Sequence, residues 1–141
     1  MGLLRDEDAV EIRHRLSGMA APVKIIHFTH ELNLEYGPET RQVLEELAAL
    51  SDKLSLEVYD FILDKEKVAE YGVDKAPATV VRNGKDYGIR YYGMPAGYEF
   101  STVLDAILDV SKGESGLGAE SREKLARLSQ PVHLEVFVTP T

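Results

Sequence analysis

Ala78-Thr79-Val80-Val81-Arg82 is followed by Asn83-Gly84 and then by a second β-prone run, residues 85–92. An Asn-Gly pair between two such runs is a strong signal for a two-residue hairpin turn, because both central residues of that turn need a positive φ. The sequence therefore predicts two antiparallel strands joined at Asn83-Gly84. Further upstream, Val23–Thr29 is almost continuously apolar, which is typical of a strand buried on both faces.

Helices and one more strand surround these segments. Apolar residues three and four apart predict amphipathic helices over residues 8–19, 38–50 and 100–108. The alternation of residues 54–58 predicts a strand, and a short helix follows with Asp64 as its N-cap and Gly72 as its left-handed end. A strand-helix-strand unit requires a right-handed crossover and a parallel pair. We therefore predict an α/β fold, a four-stranded mixed sheet flanked by helices, similar in order to a thioredoxin-like unit.

Residues 119–141 resemble the beginning of the chain. Pro22-Val23-Lys24-Ile25-Ile26-His27-Phe28 and Pro131-Val132-His133-Leu134-Glu135-Val136-Phe137 share a Pro-Val start and an apolar run, at an offset of about 109 residues. We expect a thioredoxin-like unit with an N-terminal helix over residues 1–112 and a linker over 113–118. The truncated start of a second unit follows over 119–141, with a helix to about Leu128 and a strand over 132–138. Alternatively, any helix-proline-strand joint has this pattern.

The composition excludes several classes of function. Sixteen basic residues against 24 acidic ones give a net charge of −8, which leaves no basic surplus for the phosphates of nucleic acid. The absence of cysteine excludes disulfides, thiolate nucleophiles and cysteine-ligated zinc. No apolar run is long enough to cross a membrane, and the N-terminus lacks the apolar core of a signal peptide. We therefore expect a cytoplasmic protein without membrane contact.

The sequence contains no motif for a metal or a cofactor. His27 and His30 are three residues apart, but they straddle the predicted strand end and no third ligand lies nearby. The glycines of residues 113–118 lack the preceding strand and the following Lys-Ser/Thr of a phosphate-binding loop. We therefore expect neither a metal nor a cofactor.

Several stretches spread over the chain match one family of proteins. The most specific is Lys85-Asp86-Tyr87-Gly88-Ile89-Arg90-Tyr91 followed by Gly93-Met94-Pro95-Ala96-Gly97. The other matches are Pro22-Val23-Lys24-Ile25-Ile26, Lys53-Leu54-Ser55, Ala76-Pro77-Ala78-Thr79 and Phe137-Val138-Thr139-Pro140-Thr141. On these residues the chain resembles the protein disulfide oxidoreductases of thermophilic archaea and bacteria, also called glutaredoxin-like proteins. These consist of two tandem thioredoxin-fold units, and the resemblance implies a role in redox homeostasis.

The resemblance also locates a vestigial active site. Members of the family carry a Cys-x-Tyr-Cys motif in the loop that opens the main helix of the first unit, and the corresponding residues here are Leu34, Glu35, Tyr36 and Gly37. Disulfide exchange needs a thiolate, so we expect no catalytic residue and no oxidoreductase activity in this Cys-free chain. The alternative interpretation of these four residues is an ordinary strand-to-helix turn.

The resemblance further implies that Pro77 is the cis-proline that faces the active-site loop in thioredoxin folds. A cis bond leaves the N–H and C=O of Ala76 pointing outward, where an extended peptide can pair with them as an added strand. We therefore predict peptide binding at Ala76 and Pro77. The alternative is a purely structural turn before the strand that begins at Ala78.

Two functions follow from the resemblance. The first is a redox-inactive N-terminal unit that acts as a scaffold or peptide-docking module, with extended protein clients and a second thioredoxin-like unit as partners. The second is part of a complete thiol-disulfide oxidoreductase whose catalytic Cys-x-x-Cys lies beyond residue 141. A variant in which Leu34 and Gly37 replace cysteines also fits. The apolar alternation of residues 132–138 predicts either docking on the first unit or self-association through this C-terminal strand.

Overall fold

The computed structural model describes residues 2–30 and 37–139. Within these ranges the chain forms five helices and four strands: α1 (Asp6–Leu16), β1 (Val23–Thr29), α2 (Gly37–Ala48), β2 (Leu54–Asp60), α3 (Lys65–Tyr71), β3 (Ala78–Arg82), β4 (Arg90–Tyr92), α4 (Tyr98–Lys112) and α5 (Ala119–Ala126). β1 and β3 have the bounds that the sequence predicts. No helix in this part of the chain is long and apolar enough to span a membrane.

The four strands form one mixed sheet in the order β2-β1-β3-β4. β1 is parallel to β2, with Ile25 opposite Leu56, and antiparallel to β3, with Ile25 opposite Val81. β4 is antiparallel to β3, with Thr79 opposite Tyr91. β1 therefore has a neighbour on each side, which agrees with its continuous apolar sequence. The predicted α/β fold with a four-stranded mixed sheet is confirmed.

Helices cover both faces of the sheet. The larger cluster of buried residues joins α1, α2 and α4 to one face, where Leu16, Leu44 and Ile107 are almost completely enclosed. The smaller cluster joins α3 to the other face through Phe28 and Tyr71. Side chains alternate between the two faces along a strand, so the odd-numbered residues of β1 lie on the side of α2 and α4.

The predicted two-residue turn at Asn83-Gly84 is wrong. The β3–β4 ladder ends at the Val80–Arg90 pair, and the connection between the two strands runs over residues 83–89. The Asn83 side chain accepts a hydrogen bond from the backbone N–H two residues further on, at 2.7 Å, and donates one to the Val110 carbonyl of α4, at 3.0 Å. These contacts hold the start of the connection against α4, and the chain turns back later than the local signal indicates.

The predicted strand over residues 132–138 is also wrong. The segment has no regular secondary structure, and its apolar side chains are between 61% and 89% exposed: Val132, Leu134, Val136, Phe137 and Val138. A strand needs a hydrogen-bonded neighbour, and the described part of the chain offers none here. The preceding α5 ends at Ala126 and buries none of its side chains. The division into two units at residues 113–118 remains a prediction.

Candidate functional site

Three parts of the backbone meet at one end of the sheet. β1 ends at Thr29, whose hydroxyl lies 3.8 Å from the position of a Cβ built at Gly37, the first residue of α2. β3 is antiparallel to β1, so its first residue, Ala78, lies at the same end. After β4, the Gly93 N–H donates to the Pro77 carbonyl at 2.9 Å. This end of the sheet therefore holds Gly37, the last residue of the predicted vestigial motif, together with Pro77.

Only the last position of the vestigial motif can be described. Three positions lie outside the described residues: Leu34, Glu35 and Tyr36. Gly37 is buried at the start of α2. A Cβ at Gly37 would meet the His30 carbonyl oxygen at 3.7 Å and the Thr29 hydroxyl at 3.8 Å, which are ordinary van der Waals distances. Among the described residues, a Cβ therefore fits at the position where the resemblance places the family's second cysteine.

The Ala76-Pro77 peptide bond is cis, which confirms the predicted cis bond, while peptide binding at these two residues remains a prediction. Pro77 is buried, and its carbonyl accepts the Gly93 N–H. Ala76 is half-buried, and within residues 2–30 and 37–139 neither its N–H nor its C=O has a hydrogen bond. The backbone of Ala76 thus offers a donor and an acceptor at the end of the sheet where α2 begins.

His27 lies two residues before the end of β1 and is fully buried. Its Nδ1 is 3.2 Å from the Ala78 carbonyl and 3.4 Å from the Thr79 hydroxyl, while its Nε2 has no hydrogen-bond partner among the described residues. Burial lowers the pKa of His27 to about 4, so the ring is neutral at pH 7. The sequence left His27 either as a candidate metal ligand or as a solvated or hydrogen-bonded histidine, and the described residues contain no group of three or more side chains that could hold a metal ion. The available signal was its position inside an apolar run.

The family-like stretch around Asp86 forms a polar bridge between α3 and β4. The Arg90 guanidinium donates two hydrogen bonds to the Asp86 carboxylate and two to the Tyr71 carbonyl at the end of α3. Asp86 also accepts the Gly88 N–H at 2.9 Å. The Arg90 hydrogen bonds hold the pKa of Asp86 at about 2. The bridge was not predicted from the sequence, because a spacing of four residues indicates a pair on a helix, and residues 86–89 have no regular secondary structure.

No protein-family model matches the chain. Its structure is similar to that of a protein disulfide oxidoreductase from Aeropyrum pernix, with 26% sequence identity, a TM-score of 0.78, and coverage of 88% of this chain and 55% of that one. Its fold is also similar to that of the alkyl hydroperoxide reductase protein AhpF from Enterococcus faecalis, with 23% identity, a TM-score of 0.78, and coverage of 89% and 61%. The chain is a thioredoxin-like domain.

In sequence, the thioredoxin-like domain is 30% identical over 99 residues to the alkyl hydroperoxide reductase protein AhpF of Xanthomonas campestris pv. phaseoli. The match covers 70% of this chain and 17% of that protein, a relationship that the sequence analysis did not indicate. The domain is thus related to domains of this reductase and of a disulfide oxidoreductase, and its lack of cysteine fits a replaced Cys-x-x-Cys motif. It spans less than a fifth of this curated relative and little more than half of the two solved structures.

Proposed function

We propose that this thioredoxin-like domain is a redox-inactive module that binds an extended polypeptide segment along Ala76. The observation that carries the proposal is the N–H and C=O of Ala76, which have no hydrogen bond among the described residues and adjoin the cis bond. An extended segment can pair with these two groups as an added strand. Since the chain has no cysteine, binding is not followed by disulfide exchange.

Aromatic side chains at the same end of the sheet add contact area for a bound segment. Tyr98, the first residue of α4, is 82% exposed, and the Lys75 ammonium lies 4.8 Å from the centroid of the Tyr92 ring. In binding of this kind the backbone pairing supplies affinity, while side chains beside it select the sequence. We therefore expect broad selection for extended segments with apolar side chains.

A titration with an unfolded polypeptide tests the proposal. Carboxymethylated insulin B chain, which is extended and forms no disulfide, is added to ¹⁵N-labelled protein while the amide shifts are followed by NMR. We expect the changes to cluster at residues 75–78 and in the first turn of α2. Changes confined to other parts of the surface would contradict the proposal.

A pair of proline variants makes the same test specific to one backbone group. Ala76→Pro removes the Ala76 N–H and should weaken binding by roughly tenfold, the effect of one lost hydrogen bond. Asp74→Pro adds a proline to the same loop, where the N–H has no hydrogen bond among the described residues, and should bind normally. Equal affinity of the two variants would contradict pairing at Ala76. Circular dichroism confirms that both variants are folded.

The second candidate is that the domain belongs to a complete thiol-disulfide oxidoreductase. The greater length of its relatives and the name of the A. pernix protein support this candidate. In that case a catalytic Cys-x-x-Cys lies beyond residue 141, and this domain is a scaffold for a second thioredoxin-like unit. The reading frame beyond Thr141 tests it: a Cys-Pro-Tyr-Cys there supports the candidate, and a stop codon contradicts it.

The C-terminal segment, residues 132–138, is our proposed contact for a second unit or a second copy of the chain. Its exposed apolar side chains each cost roughly 1.5–3 kcal/mol in water, and its end lines a cavity in which Val138 and Thr139 face Tyr98 and Thr102. Sedimentation velocity of the chain and of a version that ends at Gly113 tests self-association. Self-association is supported if only the full chain sediments as a species larger than a monomer. It is contradicted if the full chain and the shortened version both sediment as monomers. Cytoplasmic location, a thermophilic origin and a tandem repeat stay predictions.

A further inference from the structure

The two ring nitrogens of the buried His27 are in opposite situations. A carbonyl only accepts hydrogen bonds, so the 3.2 Å contact with the Ala78 carbonyl places the ring proton on Nδ1. Nε2 then carries a lone pair, and no group in residues 2–30 and 37–139 forms a hydrogen bond with it. Ala78 follows Pro77 directly, and His27 is in register with Thr79. One hydrogen bond thus joins the imidazole to the strand that begins beside the proposed peptide-binding residues.

The described surroundings of His27 offer no acceptor for a second ring proton. From β3 it faces the Ala78 carbonyl and the Thr79 hydroxyl, both next to Nδ1. From α2 the charged groups that act on the ring are Arg41 and Glu45, which are paired with each other at 2.7 Å and have opposite effects. Within the described ranges, no charged group of β2 or α4 acts on it. A ring with both protons would be a buried cation whose Nε2–H is unpaired, a costly arrangement.

We propose that His27 is a buried proton sensor: when Nε2 takes up a proton from solvent, the pairing of β1 with β3 opens at Ala78, and a peptide bound along Ala76 is released. The proposal has two halves: the opening half is the opening of the strands, and the release half is the release of the peptide. The release half rests on the proposed function, whereas the opening half does not. No bond changes except the new N–H. Burial lowers the pKa of the ring from 6.5 to about 4. The folded state in which β1 and β3 are paired at Ala78 is therefore fully stable above about pH 6.5. It loses stability as the pH falls towards 4.

Hydrogen exchange tests the opening half in the full chain. The protection factors of the β1 and β3 amides, corrected for intrinsic exchange rates, are compared at about pH 7 and about pH 4.5. We expect the fall to be roughly 30- to 100-fold larger in the native chain than in His27→Asn. The Asn side-chain nitrogen can donate to the Ala78 carbonyl in place of Nδ1, but it takes up no proton. His14→Asn, at an exposed histidine of α1, is the matched control and should behave as the native chain does.

An equal fall of the protection factors in the native chain and in His27→Asn would overturn the sensor. If His27→Asn does not fold, an NMR titration of the native imidazole decides instead. A midpoint near 4 with a simultaneous change at the Thr79 amide supports the sensor, and a midpoint near 6.5 overturns it.

The affinity for carboxymethylated insulin B chain, measured at the same two pH values, tests the release half. Weaker binding at low pH in the native chain and in His14→Asn, but not in His27→Asn, supports release. The same pH dependence in all three chains overturns release. Absence of binding at every pH contradicts the proposed function, and the release half with it, while the exchange experiment still decides whether His27 opens the strands.

Discussion

The Asp86 carboxylate accepts two hydrogen bonds from the Arg90 guanidinium, at 3.0 and 2.6 Å, across the connection that precedes β4. The same guanidinium donates to the Tyr71 carbonyl, so the pair ties the end of α3 to β4. Bidentate, charge-assisted hydrogen bonds are stronger and more directional than neutral ones. This pair therefore holds β4 in place, and with it Gly93 beside Pro77.

Asp86→Asn should lower the free energy of unfolding by roughly 1–3 kcal/mol, because it leaves a mostly buried guanidinium without its counter-ion. The Arg90 side chain is 18% exposed. Urea unfolding followed by circular dichroism measures the effect. Asp8→Asn, in the exposed Arg5–Asp8 pair of α1, is the matched control, and we expect no measurable change there. Equal effects of the two substitutions would show that the Asp86 bridge is not structural.

The lowered pKa of Asp86 predicts that the free energy of unfolding decreases in acid. Arg90 lowers the pKa of Asp86 from 3.8 to about 2. A carboxyl group whose pKa is lowered by folding stabilises the fold fully above its unfolded pKa, and this contribution disappears as the pH falls from about 4 to about 2. Because the Asp86 side chain is partly exposed, we expect a contribution of roughly 1–2 kcal/mol. The difference in unfolding free energy between the native chain and Asp86→Asn should shrink over this range; a constant difference would contradict the assignment.

Glu46 attaches the N-terminal segment to α2. Its carboxylate accepts the N–H groups of Leu3 and Leu4, each at 2.8 Å, and these hydrogen bonds lower the pKa of Glu46. Glu46→Ala should abolish the hydrogen-exchange protection of both amides and lower the free energy of unfolding by roughly 1 kcal/mol. Glu45→Ala, which removes an exposed partner of Arg41 from the same helix, is the control. Protection that persists at Leu3 and Leu4 would mean that other contacts hold the segment.

The native chain should show no insulin-reductase or glutathione-dependent reductase activity, since it has no sulfur nucleophile. Leu34→Cys combined with Gly37→Cys should create a reducible pair at the amino end of α2, where the positive end of the helix dipole favours a thiolate. Thiol titration should show one group with a pKa well below about 8.5. Leu34→Ser with Gly37→Ser makes a similar steric change and should remain inactive. Two thiols that titrate as free cysteine would contradict a retained site.

The strands were predicted better than the connections between them. Val23–Thr29 and Ala78–Arg82 have continuous apolar or β-branched runs because each strand has a neighbour on both sides and helices above and below. The turn at Asn83 was wrong because its side chain contacts Val110, a residue distant in sequence. Local turn preference contains no information about such a contact. The segment 132–138 has the alternation of a strand, but alternation does not specify a partner.

The candidate site was predictable only in part. Pro77 was predicted through the resemblance, because a proline by itself seldom indicates a cis bond. The environment of His27 was not predictable, since a histidine in an apolar run can be solvated or hydrogen-bonded. The register of β1 against β3 brings the Ala78 carbonyl to its ring, and register is a property of the folded sheet.

Gly37 has a consequence for the mutations that this chain can accept. The glycine codons GGT and GGC differ from cysteine codons in one base, and a Cβ at residue 37 would meet no described atom closer than 3.7 Å. A single base substitution can therefore place a cysteine at the amino end of α2, with its Cβ at ordinary van der Waals distances from the described atoms. If residue 37 replaces a cysteine, this replacement can be reversed by one mutation, because no described side chain occupies the position of the Cβ.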